Sequence, residues 1–230
     1  MGRTVIVGDV HGCADELSVL LDRVRFDTGD RLVFVGDLVA RGPDSLGVLD
    51  IAHEKGALLV RGNHEAKLLL AKEEGNLGIL NPGHRKVAEE LRPRDWKLLE
   101  WAPLSLDLPE HNIRIVHAGV DPTVSWEKQD PKDLLHIRVL RENDGEMVLW
   151  SERYYGPTHI VFGHHAMAGL QLQPFSTGLD TGCVYGNRLT ALVLGERETI
   201  LAPTDDREMK QLCSVAAKRI YFDPQGSRAA

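Results

Sequence analysis

Aspartates, histidines and an asparagine recur at one kind of place in this chain. Asp9 and His11 follow the apolar run TVIVG (4–8), Asp37 follows RLVFVG (31–36), and Asn63 and His64 follow ALLVRG (57–62); His117 and His164 close the apolar stretches of IRIVHAG (113–119) and HIVFGH (159–164). Carboxylate, imidazole and amide donors together make a mixed oxygen and nitrogen ligand set. Such a set suits manganese, iron, cobalt or zinc better than the all-oxygen sphere of calcium. Asp37, on the middle loop, is placed to bridge two ions. Two divalent cations that share a carboxylate and a water lower that water's pKa and stabilise both ends of an in-line displacement at phosphorus. Their charge outweighs that of the two aspartates, so the pocket is locally positive.

The elements that must position these groups are legible in the same runs. TVIVG, RLVFVG and ALLVRG are short, rich in β-branched residues or leucine, and each ends at glycine, as buried strands do. Leu17, Leu20, Leu21 and Val24 recur at helical spacing between the first two, and Leu46, Leu49, Ile51 and Ala52 suggest a second helix. Strand, polar loop and helix repeated in this way predict βαβ construction, with the loops at the carboxyl ends of the strands converging on one edge. In the second half IRIVHAG, HIVFGH, GLDTG (178–182) and LTALVL (189–194) are strand-like with weak helical intervals. They predict a second sheet of mixed or antiparallel strands. Residues 64–101 read as helices, including EAKLLLAKEEG and RKVAEELRPRDWKLLEW, broken near Asn81-Pro82-Gly83. One domain over 1–203 is expected, followed by a tail, 204–230, with one helix around Met209 to Ala217 and a disordered polar end.

Composition narrows the partners. A chain of 230 residues with 43% hydrophobic content can bury a full core, and its formal charge of -7 argues against a general nucleic-acid binder. Cys13, Cys183 and Cys213 form no CxxC pair, and no apolar run has the length of a leader or a membrane span. The expectation is a cytoplasmic protein with reduced thiols and no membrane partner. Oligomeric state stays open.

Taken together and in order, GDVHG (8–12), GDLVARGPDS (36–45), RGNHE (61–65), HAG (117–119) and FGH (162–164) resemble the calcineurin-type metallophosphoesterases, and within them the phosphoprotein-phosphatase branch. The resemblance spans residues 4 to about 195. It implies an α/β protein with a four-layer α/β/β/α sandwich of two mixed β-sheets. It also implies two divalent ions, manganese first, with cobalt, iron, zinc or magnesium as alternatives. Asp9, His11 and Asp37 would hold one ion, and Asp37, Asn63, His117 and His164 the other. His64 would protonate the leaving group and Arg41 would clamp phosphate, with Arg153 in LWSERYYG as a second phosphate-binding arginine and Arg138 in LLHIRVL as runner-up. His165 reads as a substrate-edge or structural residue, Glu65 and Arg61 as structural, and His53, His84, His111, His136 and His159 as surface or core.

Ala40 departs from the protein phosphatases of this branch, which read GDxVDRG with an aspartate that pairs with the imidazole of the NHE motif. Without that aspartate His64 is a less well supported acid. A serine or threonine alkoxide needs a strong acid to leave, whereas a phosphate oxygen of pKa about 6 does not. Ala40 therefore biases the reading toward phosphoanhydrides. GDLVARGPDSL and GLDTGCVYGNRLTALVL (178–194) are similar to the symmetrical diadenosine tetraphosphate hydrolases, which implies a dinucleoside polyphosphate substrate split into two ADP. A serine/threonine protein phosphatase is the alternative on the same loops. An inert scaffold is a further alternative, which lost ligands would mark, and no ligand position is missing here.

Overall fold

In the computed structural model, residues 2–203 and 210–223 are described. The three opening apolar runs form β1 (Thr4–Val7), β2 (Arg31–Phe34) and β3 (Leu58–Leu59), all parallel. They are joined by α1 (Ala14–Arg23), which buries Leu17, Leu20 and Leu21, and α2 (Ser45–Glu54), which the Asp44 side chain caps by accepting from the Gly47 amide at 2.7 Å. Three helices follow: α3 (Asn63–Glu73), α4 (Pro82–Glu90) and α5 (Pro93–Trp101). The single helical run expected over the last two is divided, because a residue before proline is pushed into extended backbone; Arg92 has ψ 160°.

The second half supplies β4 (Ser105–Leu108), β5 (Ile113–Val116), α6 (Pro131–His136), a ribbon of β6 (Val139–Arg141) and β7 (Met147–Leu149), then β8 (His159–Phe162), β9 (Gln171–Leu172) and β10 (Ser176–Gly178). A five-stranded mixed sheet runs β4-β5-β8-β10-β9, with β5, β8 and β10 parallel and the outer strands antiparallel. The ladder at β10 stops at Gly178, so most of GLDTG is a loop rather than a strand.

Two expectations are corrected here. LTALVL lies in β11 (Arg188–Leu194) and joins the first sheet, antiparallel to β1, rather than the second. β1 is wholly buried with β2 on one side, and the amides and carbonyls of its other edge require a partner in the chain. The helix expected around Met209 to Ala217 is instead β12 (Leu212–Ala216), which pairs along β11 from Leu192↔Leu212 to Arg188↔Ala216 and buries Val215. An exposed β11 edge outweighs weak helical spacing. Met209 itself, and the polar end from 224, lie outside the described residues.

Strand alternation then builds the layers. Ile6, Val33 and Val35 of the first sheet meet Ile113, Ile115 and Val161 of the second. Val5, Val7 and Phe34 face Leu17, Leu20, Val48 and Leu49 of the helices, while Val116, Ile160 and Phe162 face Leu134 and Trp150 on the far side. The result is a helix, sheet, sheet, helix sandwich of two mixed sheets. Among the described residues no helix is long and apolar enough to cross a membrane.

Candidate metal and phosphate site

The loops after β1, β2, β3, β5 and β8 meet at one edge of the sandwich. Their turns are tight: His11 (φ 48°), Asp37 (51°), Ala40 (67°), Arg41 (69°) and His164 (70°) all occupy the left-handed region. Such backbone persists only where its surroundings hold it. Glu65, fully buried at the start of α3, does much of the holding. Its carboxylate accepts from the amides of Asp37 (2.8 Å), Leu38 (2.9 Å) and Gly62 (2.9 Å), tying the second loop to the third. Glycine is required where loops touch. A Cβ on Gly163 would lie 1.9 Å from Asp9 Oδ1, and one on Gly62 2.3 Å from Asp37 Oδ1.

Asp37 is the centre. Its Oδ1 accepts from the His64 amide (3.0 Å), and its Oδ2 lies 3.5 Å from His11 Nε2, 3.5 Å from His117 Nε2 and 3.9 Å from His64 Nε2. The Nδ1 atoms of His11 and His117 face the carbonyl oxygens of Val39 (3.2 Å) and Val35 (3.0 Å), so both must carry their protons there. In the neutral rings both Nε2 atoms are then acceptors; that of His117 is aimed at other acceptors, and that of His11 lies between Asp37 Oδ2 and the Arg41 guanidinium. His117 Nε2 is also 2.9 Å from Asn63 Oδ1, which sits 3.0 Å from His164 Nδ1. The buried Nε2 of His164 has no hydrogen-bond partner. Acceptors converging on acceptors, with a buried nitrogen left over, is the donor set a cation satisfies. Two clusters can hold a metal ion here, His11–Asp37–His64 and Asp37–His117–His164. Asp9 lies beside them, its two oxygens accepting from the His164 amide at 3.1 and 3.0 Å.

The electrostatics agree. Burial, then the Asp180 and Asp37 carboxylates, push Asp9 well above the usual carboxylate range, and burial lifts Asp37 to about 7. Glu65 is raised to about 7 by burial and then by Asp37. Burial holds His11, His117 and His164 below the ordinary imidazole value. Neutral imidazoles and crowded carboxylates are what nearby positive charge relieves.

A cleft of about 950 Å³ opens beside this cluster, lined by Arg41, His64, Lys67, Asn81, His84, Lys86 and Phe222 among others. Arg41 donates to His11 Nε2 at 2.9 Å, and its guanidinium carbon lies 5.6 Å from the Tyr185 ring centre and 5.7 Å from that of Phe222. His64 Nδ1 is 3.0 Å from Nε2 of His84, whose Nδ1 is 2.9 Å from Asn81 Oδ1.

Asp9, His11, Asp37, Arg41, Asn63, His64, His117 and His164 are thus brought together. Arg153 is not: it is exposed, pairs with Glu142 at 2.5 Å and lines a separate depression with Asp121 and Asp144. Arg138 is exposed too, but its charge acts on Asp37, His117 and His164. His165, half-buried, also feels Arg138. Glu65 acts as a helix cap, and Arg61 donates to the Glu100 carbonyl at 2.9 Å. His53 meets Asp95, His159 meets Thr177, and His111 is tied between Thr4 and the Glu198 carbonyl. His136 reaches the site's rim, its ring 6.1 Å from that of His164.

Sequence reasoning missed two groups. Asp180, buried beside Asp9 and Asp37, was visible only as part of GLDTG. His84, read as surface or core, instead touches His64; an Asn-Pro-Gly-His helix start gives no local sign of that contact.

A family model described as calcineurin-like phosphoesterase matches residues 2–195. The chain is 34% identical to the asymmetrical bis(5'-nucleosyl)-tetraphosphatase PrpE of Halalkalibacterium halodurans, over 86% of this chain and 93% of that protein. It is 31% identical to the protein of the same name in Oceanobacillus iheyensis, over 85% and 90%. The crystal structure of a proposed diadenosine tetraphosphatase is 35% identical, covers 94% of both chains and superposes with a TM-score of 0.78. A protein serine/threonine phosphatase from Saccharomyces cerevisiae, 18% identical over 97% of this chain and 82% of that one with a TM-score of 0.62, shares the fold alone. These relatives correct the expectation of symmetrical cleavage, because the curated ones are named asymmetrical.

Proposed function

Because the chain belongs to the calcineurin-like phosphoesterases, we propose that it hydrolyses dinucleoside tetraphosphates with the help of two divalent cations, cutting asymmetrically to a nucleoside monophosphate and a nucleoside triphosphate. The observation that carries the reading is the convergence of the His11, His117 and His64 Nε2 atoms on Asp37 Oδ2. Asp9, His11 and Asp37 would hold one ion, and Asp37, Asn63, His117 and His164 the other. Mixed donors of this kind suit manganese, with cobalt, iron, zinc and magnesium as further candidates. Bound ions would lower the pKa of a water and neutralise charge on the phosphoryl oxygens.

The chain's own residues do the rest. Arg41 holds non-reacting phosphoryl oxygens in a planar, two-pronged grip, and Arg138, whose charge acts on Asp37, His117 and His164, adds positive potential there. His64 faces the reacting phosphate from the cleft side and handles a proton there. Lys67 and Lys86 beside Arg41 give the cleft a cationic lining in a protein of charge -7, which suits the anionic chain of a dinucleoside polyphosphate. Free cysteines, with Cys13 and Cys183 buried, are in keeping with a reducing cytoplasm.

The test is product analysis with manganese-loaded protein and diadenosine tetraphosphate. ATP and AMP in equal amounts are expected. Two ADP would overturn the asymmetry, and turnover of a phosphothreonine peptide in place of the dinucleotide would overturn the substrate class in favour of a protein phosphatase.

A further inference from the structure

The contact between His64 and His84 determines where the protons of both rings lie. Asn81 is the N-cap of α4, and its Oδ1 accepts the backbone N–H of His84 at 2.9 Å. A backbone N–H can only donate, so it is the amide oxygen, not the nitrogen, that faces His84. The same oxygen lies 2.9 Å from His84 Nδ1, which must therefore carry its hydrogen. A neutral imidazole carries one hydrogen, and with that hydrogen on Nδ1 facing Asn81 the Nε2 of His84 is a lone pair; Lys67 and Arg41, lining the same cleft, oppose a second proton on the ring. His64 Nδ1, 3.0 Å from that lone pair, has to be the donor. The remaining ring nitrogen of His64, Nε2, is bare and points to the Asp37 corner at 3.9 Å.

We infer that His84, anchored by Asn81, is the positioning residue that fixes His64 in its Nδ1–H tautomer and presents a bare Nε2 to the reacting phosphate. His84 thereby takes over orientation of the ring, the task that an aspartate at position 40 would serve, but from a different element and without a negative charge. A neutral partner orients the imidazole without stabilising its cation. The bare Nε2 of His64 is then open to take up the proton that the attacking water loses, while the leaving phosphate oxygen departs as an anion. That arrangement serves a leaving phosphate oxygen, which departs without an acid, better than a serine or threonine alkoxide. The activity arm of this inference rests on the function proposed above, and the tautomer arm does not.

The experiment uses protein labelled with ¹⁵N-histidine and loaded with zinc, a diamagnetic ion, so that long-range ¹H–¹⁵N spectra report each ring's tautomer. In the parent, His64 should be protonated at Nδ1 and bare at Nε2. In His84→Ala the ring should drift toward the Nε2–H form that imidazole favours in water. With manganese, kcat for diadenosine tetraphosphate should fall about 10- to 100-fold, as for other lost orienting partners, with KM and metal content unchanged. His84→Gln, whose side-chain oxygen can accept from Nδ1, should recover most of the loss. An Nε2–H tautomer in the parent would overturn the inference outright, whether or not any variant folds. So would parental kcat in His84→Ala, a loss that follows metal content, or equal deficits in the Ala and Gln variants. A parent that turns over no dinucleotide overturns the proposed function instead, while the spectra still judge His84.

Discussion

The carboxylate-lined floor around Asp37 and the histidine wall supplied by α3 and α4 meet at His64, yet they are held by different means. The floor is over-determined: five left-handed loop residues, glycines that admit neighbouring side chains, and four backbone amides on the Glu65 carboxylate, those of Asp37, Leu38, Val39 and Gly62, hold Asp37 in place. The wall hangs on one side-chain cap, Asn81, and one ring-to-ring hydrogen bond. Where many weak restraints share a task the ligand geometry is rigid. Where one restraint does it, a single substitution reorients a single ring. Damage to the floor should therefore remove the ions and all activity, whereas damage to the wall should spare the ions.

Asp37→Ala should give the largest effect. It deletes the oxygen shared by His11, His117 and His64, and elemental analysis should find both ions gone and turnover undetectable. Two metals per chain in that variant would refute a shared ligand. His64→Asn should sit next, with turnover down about 10²-fold, the low end for a proton-handling group, and metal content at the parental level. Loss of metal along with activity would erase the distinction between floor and wall.

Glu65→Gln probes the floor without touching a proposed ligand. One oxygen is replaced by an NH₂ facing amides that themselves donate, so about 1–3 kcal/mol of stability should be lost and activity should drop about 10- to 100-fold. Thermal melting with and without metal separates the two. If instead the variant melts and turns over like the parent, the floor is held by backbone turns alone.

Acidity gives a smaller test of the same region. Asp37 and Glu65 have folded-state values near 7, above their unfolded values, so these two groups hold more protons in the metal-free fold than in the unfolded chain between about pH 4 and 7, while the buried His11, His117 and His164, held neutral, act in the opposite direction below about pH 6.5. The contribution of these groups is fully present below pH 4 and is lost as pH rises through 7. Because a cation must displace the protons on these carboxylates, the rise in melting temperature conferred by added manganese should grow across that window. A manganese-induced rise in melting temperature that shrinks from pH 5 to 7 would contradict the crowding of carboxylates.

The smallest effect belongs to Ala40→Asp. The sequence alone predicts a gain on phosphoserine and phosphothreonine peptides, but His64 Nδ1 already has a partner in His84. The ratio of kcat/KM for a phosphothreonine peptide to that for diadenosine tetraphosphate should stay near the parental one. Aspartate tolerates the left-handed backbone at this position, so the fold should survive. A strong rise in the ratio would show that the new carboxylate displaces His84, and that the wall is looser than drawn.

Much of the floor was legible because its residues sit at strand ends in runs whose order is local: a strand followed by a polar turn delivers its side chains to one edge whatever the rest of the chain does. The neighbours of β11 were not, since the partner of a strand is chosen by whichever edge lacks one, and that depends on β1 at the other end of the chain. Arg153 illustrates the same limit. Its position after Trp150-Ser151 suggested phosphate, but a long exposed side chain goes to the nearest carboxylate, and Glu142, beside the ribbon, supplies it.

From the string of residues came the proposed ligand types, their order, the βαβ opening half and the phosphoesterase family, because periodicity and turn chemistry act over a few residues. Only the folded chain decided that Asp180 joins the buried carboxylates and that β12 closes the sheet. It also decided that an imidazole from α4, rather than a side chain at position 40, partners His64. Those outcomes depend on distances between segments far apart in sequence. Packing sets such distances, and no local pattern encodes them.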